Sequence, residues 1–100
     1  MPDLPELNPV IHGLLRLTLL SLLSGVDEAQ FIWLRAETGA ADGNLSVQLR
    51  KLEEAGYVSV KKKFVGRKPR SSYRLTETGR EALVEYVRTL RQLLGPAIYA

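Results

Sequence analysis

Apolar residues recur at helical spacing over much of the chain, and the first such segment is the most apolar. It predicts a helix from Pro9 to Leu23, with Asn8 as the N-cap and a proline at the first position, where a missing N–H costs nothing. Ser24 and Gly25 end it. Because apolar residues surround most of this helix, we expect it to be buried on more than one side.

The next helical segment has two interpretations. In one, a helix begins at about residue 28; in the other, a short extended piece through Phe31 precedes a helix from Ile32 to Thr38. Gly39 ends the helix in both. Trp33 is a large aromatic in this segment, and its spacing fits packing better than ligand binding.

A third helix follows a tight turn. Leu45, Leu49 and Leu52 recur at i, i+4 and i+7, which predicts that they face the core. Asp42 is the expected N-cap, since its carboxylate can accept hydrogen bonds from the free N–H groups of the first turn. Gly56 ends the helix.

An alternating pattern after this helix predicts a β-hairpin. Lys62 interrupts the apolar side of the first strand, which indicates a twist or an edge position there. The return strand runs from Ser71 to Leu75, and Tyr73 points inward. In the first strand, the apolar side carries Val58, Val60 and Phe64, and the other side carries Ser59, Lys61 and Lys63.

The last helix completes the predicted architecture. Thr76 is its expected cap, it runs from Glu77 to about Leu94, and Pro96 prevents its continuation. The fold class is therefore mainly α with a small β-hairpin, a winged helix-turn-helix of three helices, a two-stranded wing and a long C-terminal helix. Residues 1–8 form an N-terminal tail and residues 9–100 a single domain, since 100 residues suffice for only one core.

The charge distribution changes the interpretation of the hairpin. The formal net charge is only +3, but seven of the 14 basic residues lie between Lys61 and Arg74, and no acidic residue lies between Glu54 and Glu77. Cations at this density repel one another unless an anionic partner is present. A solvated lysine-rich edge strand is the alternative. The preceding helix and a second basic group in the turn favour a nucleic acid.

The third helix has the properties of a recognition helix for DNA. If its leucines face inward, Asn44, Val47, Gln48 and Lys51 lie on the opposite face, which suits a major groove about 12 Å wide. Asparagine and glutamine can pair bidentately with adenine, valine can contact a thymine methyl, and lysine can reach guanine or phosphate. At the start of this helix, three groups can donate hydrogen bonds to a DNA phosphate: the Ser46 hydroxyl and the N–H groups of Gly43 and Asn44.

The hairpin has the properties of a wing. Arg67, Lys68 and Arg70 are predicted at its tip, where Gly66 supplies backbone freedom and Pro69 stiffens the return. Narrow minor grooves concentrate negative potential and attract an inserted arginine. On the outward side of the first strand, Lys61 and Lys63 would lie along the phosphates.

The order of elements resembles the winged-helix transcription regulators of the MarR/ArsR type. The similarity covers roughly residues 9 to 94 and rests on three runs: Asp42 to Val58, Gly66 to Arg70, and Tyr73 to Arg80. It implies a homodimer that binds double-stranded DNA at a pseudo-palindromic operator. The chain has no cysteine and one histidine, which argues against thiolate-based metal sensing; whether a small-molecule effector exists stays open.

A dimer is also predicted from the apolar surface of the terminal helices. Three short helices and a hairpin cannot cover both the first helix and the stripe on the last one. The interface residues expected on that stripe are Leu83, Val87, Leu90 and Leu94.

Other functions are less well supported by the residues. His12 is the only histidine and fits packing or an interface hydrogen bond better than catalysis, so no enzyme activity, metal or cofactor is expected.

The apolar run from Val10 to Leu23 is interrupted and too short to span a bilayer, and the N-terminus has no basic region, which predicts a cytoplasmic protein without membrane contact. The main rival is a winged helix used as a protein-interaction module in a transcription assembly.

Overall fold

The computed structural model describes residues 4–99 and contains helices and one small sheet. The predicted winged helix-turn-helix is confirmed, with one additional short strand that joins the hairpin in a three-stranded antiparallel sheet of order β1-β3-β2. The predicted tail over residues 1–8 lies partly outside the described residues. The elements are α1 (Leu14–Ser24), β1 (Ala29–Gln30), α2 (Phe31–Thr38), α3 (Asp42–Glu54), β2 (Val58–Val65), β3 (Lys68–Leu75), α4 (Glu77–Leu93) and a 3-10 turn (Pro96–Tyr99).

The first helix begins later than predicted. Asn8 caps a single turn, because its side-chain oxygen accepts from the N–H of Val10 at 2.9 Å and its carbonyl accepts from the N–H of His12 at 2.8 Å. The chain then becomes extended at Gly13, the N-cap of α1. The physical reason is the side chain of Arg16, which donates to the carbonyls of Pro9 and Val10. Those carbonyls would otherwise accept the hydrogen bonds that continue the helix.

The core lies between the three N-terminal helices and the base of the sheet. The predicted inward leucines of α3, Leu45, Leu49 and Leu52, are all buried, which confirms the helix orientation. Burial of apolar side chains at this density is the main stabilising contribution in a domain of this size. The other fully buried large side chains are Ile11, Leu19, Leu20, Leu23 and Leu34.

The turn between α2 and α3 is partly as predicted. Gly39 ends α2 in the left-handed conformation, with φ of 68°, which favours glycine. The prediction that Asp42 caps α3 is wrong, since Ala41 occupies the N-cap position and Asp42 is the first helical residue. The Asp42 carboxylate instead accepts from Arg35 at 3.2 Å, and its charge still favours the helix N-terminus.

The hairpin is longer than predicted, because the return strand begins at Lys68. Pro69 pairs with Phe64, next to the pair that closes the two-residue turn. This position lacks cross-strand hydrogen bonds in such a hairpin, so a proline without an N–H is tolerated. The strand β1 pairs with only two residues of β3, Tyr73 and Ser72, so the distal half of the hairpin has free edges. The edge position predicted at Lys62 is confirmed.

The C-terminal helix starts as predicted. The hydroxyl of Thr76 accepts from the N–H of Gly79 at 2.9 Å and donates to the carbonyl of Gly56 at 2.6 Å, so it caps α4 and ties the helix to the end of α3. The buried Tyr86 packs α4 against the core, and its hydroxyl lies 2.9 Å from Nδ1 of His12. His12 therefore makes a hydrogen bond to another helix, from an exposed position before α1.

Candidate nucleic-acid interface

The exposed surface of α3 carries most of the residues predicted to contact bases. At about 3.6 residues per turn, Val47 points almost directly away from the buried leucines, and its side chain is 46% exposed. Lys51 and Asn44 lie to one side of it and Ser46 to the other; all three are exposed, as is Gly43. The first turns of α3 therefore present polar groups around one small apolar side chain.

Gln48 differs from the other residues predicted to contact bases because it is half-buried at the edge of this surface. Its side-chain oxygen accepts from Nη1 of Arg16 at 2.6 Å, and its side-chain nitrogen donates to Oδ1 of Asn44 at 3.1 Å. Arg16 thus reaches from α1 to α3. This link depends on the late start of α1 and could not be predicted from local patterns.

A cleft of about 430 Å³ separates α3 from the hairpin. Ser46 and Arg50 contribute to it from the helix, and Lys62 and Ser71 contribute from the two strands. Two hydroxyls and two cations around one cleft suit a phosphate group. Neither Arg50 nor Lys62 was predicted as a site residue, although the alternation of β2 places Lys62 on the same side as Val60, which faces the helix.

Two further residues of the cleft limit its charge. Glu53 lines it beside Arg50, and Tyr73 closes its inner end. Burial raises the pKa of Tyr73 above its ordinary value of 10.0, and the Glu53 carboxylate adds to the increase, whereas a hydrogen bond with Ser71 lowers it. The tyrosine hydroxyl is therefore neutral at physiological pH and presents no negative charge to an anion.

The tip of the wing is a two-residue turn of Gly66 and Arg67. Gly66 has a φ of 67°, the left-handed value that glycine provides at this position of a hairpin turn. Arg67 is exposed in the turn, Lys68 is the first residue of β3, and Arg70 is half-buried two residues further along. Cations therefore extend from the tip along the return strand.

Alternation places the remaining predicted wing cations on the side of the sheet that faces away from the cleft. Lys61 and Lys63 share this side with Arg74 and, by the cross-strand register, with Lys68 and Arg70. Nζ of Lys63 and a guanidinium nitrogen of Arg74 lie 4.0 Å and 3.9 Å from the Glu28 carboxylate. These contacts are solvent-exposed and contribute little to stability, so they leave the cations available to a partner.

The wing also exposes apolar side chains that were not expected at the surface. Phe64, predicted to point to the apolar side of the strand, does so beyond the end of the core and is 77% exposed; Val65 is 59% exposed. The physical reason is the length of the hairpin, which extends past the helices on which its base packs.

The predicted dimer residues lie on one side of α4. Leu83 and Leu90 are half-buried, Val87 is 41% exposed and Leu94 is 39% exposed. Val84, which was not predicted, extends this surface. An open depression of about 690 Å³ runs along it, and its rim includes Arg80 and Arg88. We call this the α4 surface.

Within residues 4–99, no helix combines the length and the apolar character needed to cross a membrane. The same residues contain no group of three or more histidine, aspartate or glutamate side chains arranged to hold a metal ion.

Comparisons with known proteins agree with this geometry. An uncharacterised protein of Methanocaldococcus jannaschii is 32% identical over 84 residues, covering 84% of this chain and 91% of that protein. A transcriptional regulator homologue from Pyrococcus horikoshii OT3 has a similar structure, with a TM-score of 0.77 at 24% identity and coverage of 84% of this chain and 83% of that one. PadR from Bacillus subtilis, solved in complex with operator DNA, gives a TM-score of 0.68 at 20% identity, covering 75% of this chain and 47% of that one.

The match to a family model decides the assignment. The resemblance to winged-helix transcription regulators is confirmed, while the MarR/ArsR subtype stays a prediction. The sequence matches the winged helix DNA-binding domain model over residues 15–94. The chain belongs to the winged helix DNA-binding domain family.

Proposed function

We propose that this protein is a transcription regulator that binds double-stranded DNA sequence-specifically, as a homodimer on a pseudo-palindromic operator. The observation that carries the proposal is the cleft in which Ser46 and Arg50 of α3 meet Lys62 and Ser71 of the wing. A phosphate backbone held there would position α3 in the major groove and direct the turn at Arg67 toward the adjacent minor groove.

The proposed roles of the α3 residues follow from their exposure. Val47 and Lys51 face the bases directly, and Asn44 lies beside them. The Ser46 hydroxyl and the backbone N–H of Gly43 donate hydrogen bonds to a phosphate at the start of the helix. Gln48 contacts bases from the edge of this surface or acts through Asn44, to which it donates a hydrogen bond.

The wing supplies electrostatic affinity in this proposal. Arg67 enters the minor groove, where potential is most negative, and Lys68 and Arg70 follow the backbone beside it. Lys61 and Lys63 lie on the same side of the hairpin as Lys68 and Arg70. In this proposal they contact the phosphates beside it.

The α4 surface is proposed as the dimer interface. Its exposed leucine and valine side chains form one continuous apolar stripe, and α1 exposes Leu14, which is 85% accessible. A two-fold interface pairs the same surface on both subunits. It would place the two recognition helices about 34 Å apart, one turn of the duplex.

The proposal is tested by selecting sequences from random duplex DNA and measuring affinity by fluorescence anisotropy at low salt. The wild type should enrich a two-fold symmetric site, and the double variant Arg50→Ala/Lys62→Ala should bind that site at least about 100-fold more weakly, as loss of two phosphate contacts predicts. Arg74→Ala, which removes an exposed cation at the base of the wing on the side away from the cleft, is the matched control and should weaken binding far less.

Failure to retain any duplex would favour the protein-interaction alternative. That alternative would be better supported by a broad apolar surface on α3, whereas Val47 is the one large apolar side chain exposed among the described residues of that helix.

A further inference from the structure

The side chain of Arg16 is held by the chain segment before α1 and directed at the recognition helix. Its Nε donates to the carbonyl of Val10 and its Nη2 to that of Pro9, at 3.4 Å for the latter. The remaining nitrogen, Nη1, donates to Oε1 of Gln48 at 2.6 Å. Anchored on two backbone carbonyls, the guanidinium has little freedom to choose another acceptor.

This contact determines which way the amide of Gln48 faces. A guanidinium has only donors, so the oxygen of Gln48 must face Arg16 and its NH₂ group must point away. The NH₂ group donates to Oδ1 of Asn44 at 3.1 Å. The oxygen of Asn44 is therefore turned toward Gln48, and the exposed NH₂ group of Asn44 points outward as a hydrogen-bond donor.

The direction of this hydrogen-bond chain affects base recognition. Bidentate pairing with adenine requires the oxygen and the NH₂ group of one amide to face the base together. In Gln48 both ends are engaged, and in Asn44 the oxygen is engaged. What remains is a donor, which suits the major-groove keto oxygen of guanine or thymine.

We propose that Arg16 is a positioning residue for sequence readout: through Gln48 it holds Asn44 with its donor outward, so that α3 selects a keto base rather than adenine. This inference rests on the proposed DNA binding and replaces the expectation that Asn44 and Gln48 pair bidentately with adenine. Arg16 acts at a distance from the base, and its effect is on preference more than on affinity.

The test compares sequences selected from random duplex DNA by the wild type, Arg16→Ala and Gln48→Glu. In Gln48→Glu the carboxylate still accepts from Arg16 but accepts from Asn44 as well, which turns the Asn44 oxygen outward. Its selected sites should carry adenine or cytosine, whose amino groups donate, where the wild type carries guanine or thymine. The wild type should prefer keto over amino bases at this position by at least about fivefold, and Gln48→Glu should prefer amino over keto bases by a similar factor. Fivefold is about the lower end of the discrimination that one good side-chain–base pair supplies.

Arg16→Ala should lose the keto preference at the same position without gaining an equally strong amino preference. Arg50→Ala is the charge control, because it should lower affinity and leave base preferences unchanged. Thermal denaturation of each variant separates a folding defect from a change in base preference. If Arg16→Ala does not fold, the base preference of Gln48→Glu tests the inference, because that variant retains the contact with Arg16.

Identical base preferences in the wild type and Gln48→Glu would overturn the inference, and so would selection of adenine at this position by the wild type. If the wild type enriches no sequence, the proposed function itself has failed, which is a distinguishable result.

Discussion

The α-carbon of Gly79 packs against the backbone carbonyl of Tyr57, so that α4 meets the start of β2 with no side chain between them. A β-carbon at this position would collide with the Tyr57 carbonyl and would lie 2.9 Å from Cδ1 of Leu75. The same carbonyl accepts from the N–H of Thr76 at 3.0 Å. The approach of these two backbones joins the base of the wing to the helix proposed for dimerisation.

Gly79→Ala should therefore destabilise the protein although alanine is a better helix former. Overpacking in a close contact typically costs about 1–3 kcal/mol, which exceeds the gain of about 1 kcal/mol from helix propensity. Urea denaturation monitored by circular dichroism measures the difference. Gly43→Ala is the matched control, since nothing lies within 4 Å of its added β-carbon and the helical gain should appear alone. Equal stabilisation in both variants would show that α4 can shift without cost.

Local patterns were sufficient to predict the elements whose stability is local. The leucines at 45, 49 and 52 have helical spacing, and Gly39 and Thr76 have the backbone and side-chain chemistry of a helix end and a helix cap. The second of the two interpretations of residues 28–38, an extended piece followed by a helix, agrees with β1 and α2.

Features that depend on polar contacts beyond one helical turn, or on the packing of one element against another, were not predicted. The late start of α1 results from Arg16 taking carbonyls that a helix would use, and the Asp42 carboxylate is engaged by Arg35. Lys62 was treated as an interruption of an apolar pattern, whereas its position opposite α3 makes it part of the cleft. Arg16 and Arg35 bind groups that the periodic patterns do not identify, and the surroundings of Lys62 are set by the packing of the hairpin beside α3.

Stability should fall at alkaline pH in a way that depends on Tyr73. Its pKa is raised in the folded protein, chiefly by burial, so the folded state holds this proton more tightly than the unfolded chain. The resulting stability is fully present below pH 10, the ordinary tyrosine value, and is lost as the pH rises through the folded pKa. Tyr73→Phe should show a shallower decline of unfolding free energy between about pH 9.5 and 11 than the wild type does. Parallel declines would show that other groups account for the loss.

The salt dependence of DNA binding should distinguish the tip of the wing from its strands. Each phosphate contact contributes about 0.9 to the slope of log affinity against log salt concentration. Lys61→Ala should lower the slope by about one unit per subunit and leave sequence preference unchanged. Arg67→Ala should also reduce the preference for A·T-rich flanking sequence, because a minor-groove arginine responds to groove width. Fluorescence anisotropy over a salt series, on sites with A·T-rich and G·C-rich flanks, measures both. If Arg67→Ala alters neither quantity, the hairpin is a solvated edge and does not contact DNA.

Two valines of similar exposure provide a test of the dimer and of the recognition helix together. Val47 on α3 is 46% exposed and Val87 on α4 is 41% exposed, so neither contributes greatly to the core of one subunit. Val87→Lys should place a further cation beside Arg80 and Arg88 in a dimer interface twice, at a cost on the order of 3–5 kcal/mol for each uncompensated burial. Light scattering should then report the 11.2 kDa monomer, and affinity for a symmetric site should fall because only one half-site is held at a time. Val47→Glu should leave the dimer intact and abolish DNA binding, since the new carboxylate faces the duplex. A wild type that is already monomeric at micromolar concentration would contradict the dimer, and a Val47→Glu variant that binds DNA normally would contradict the assignment of α3 to the groove.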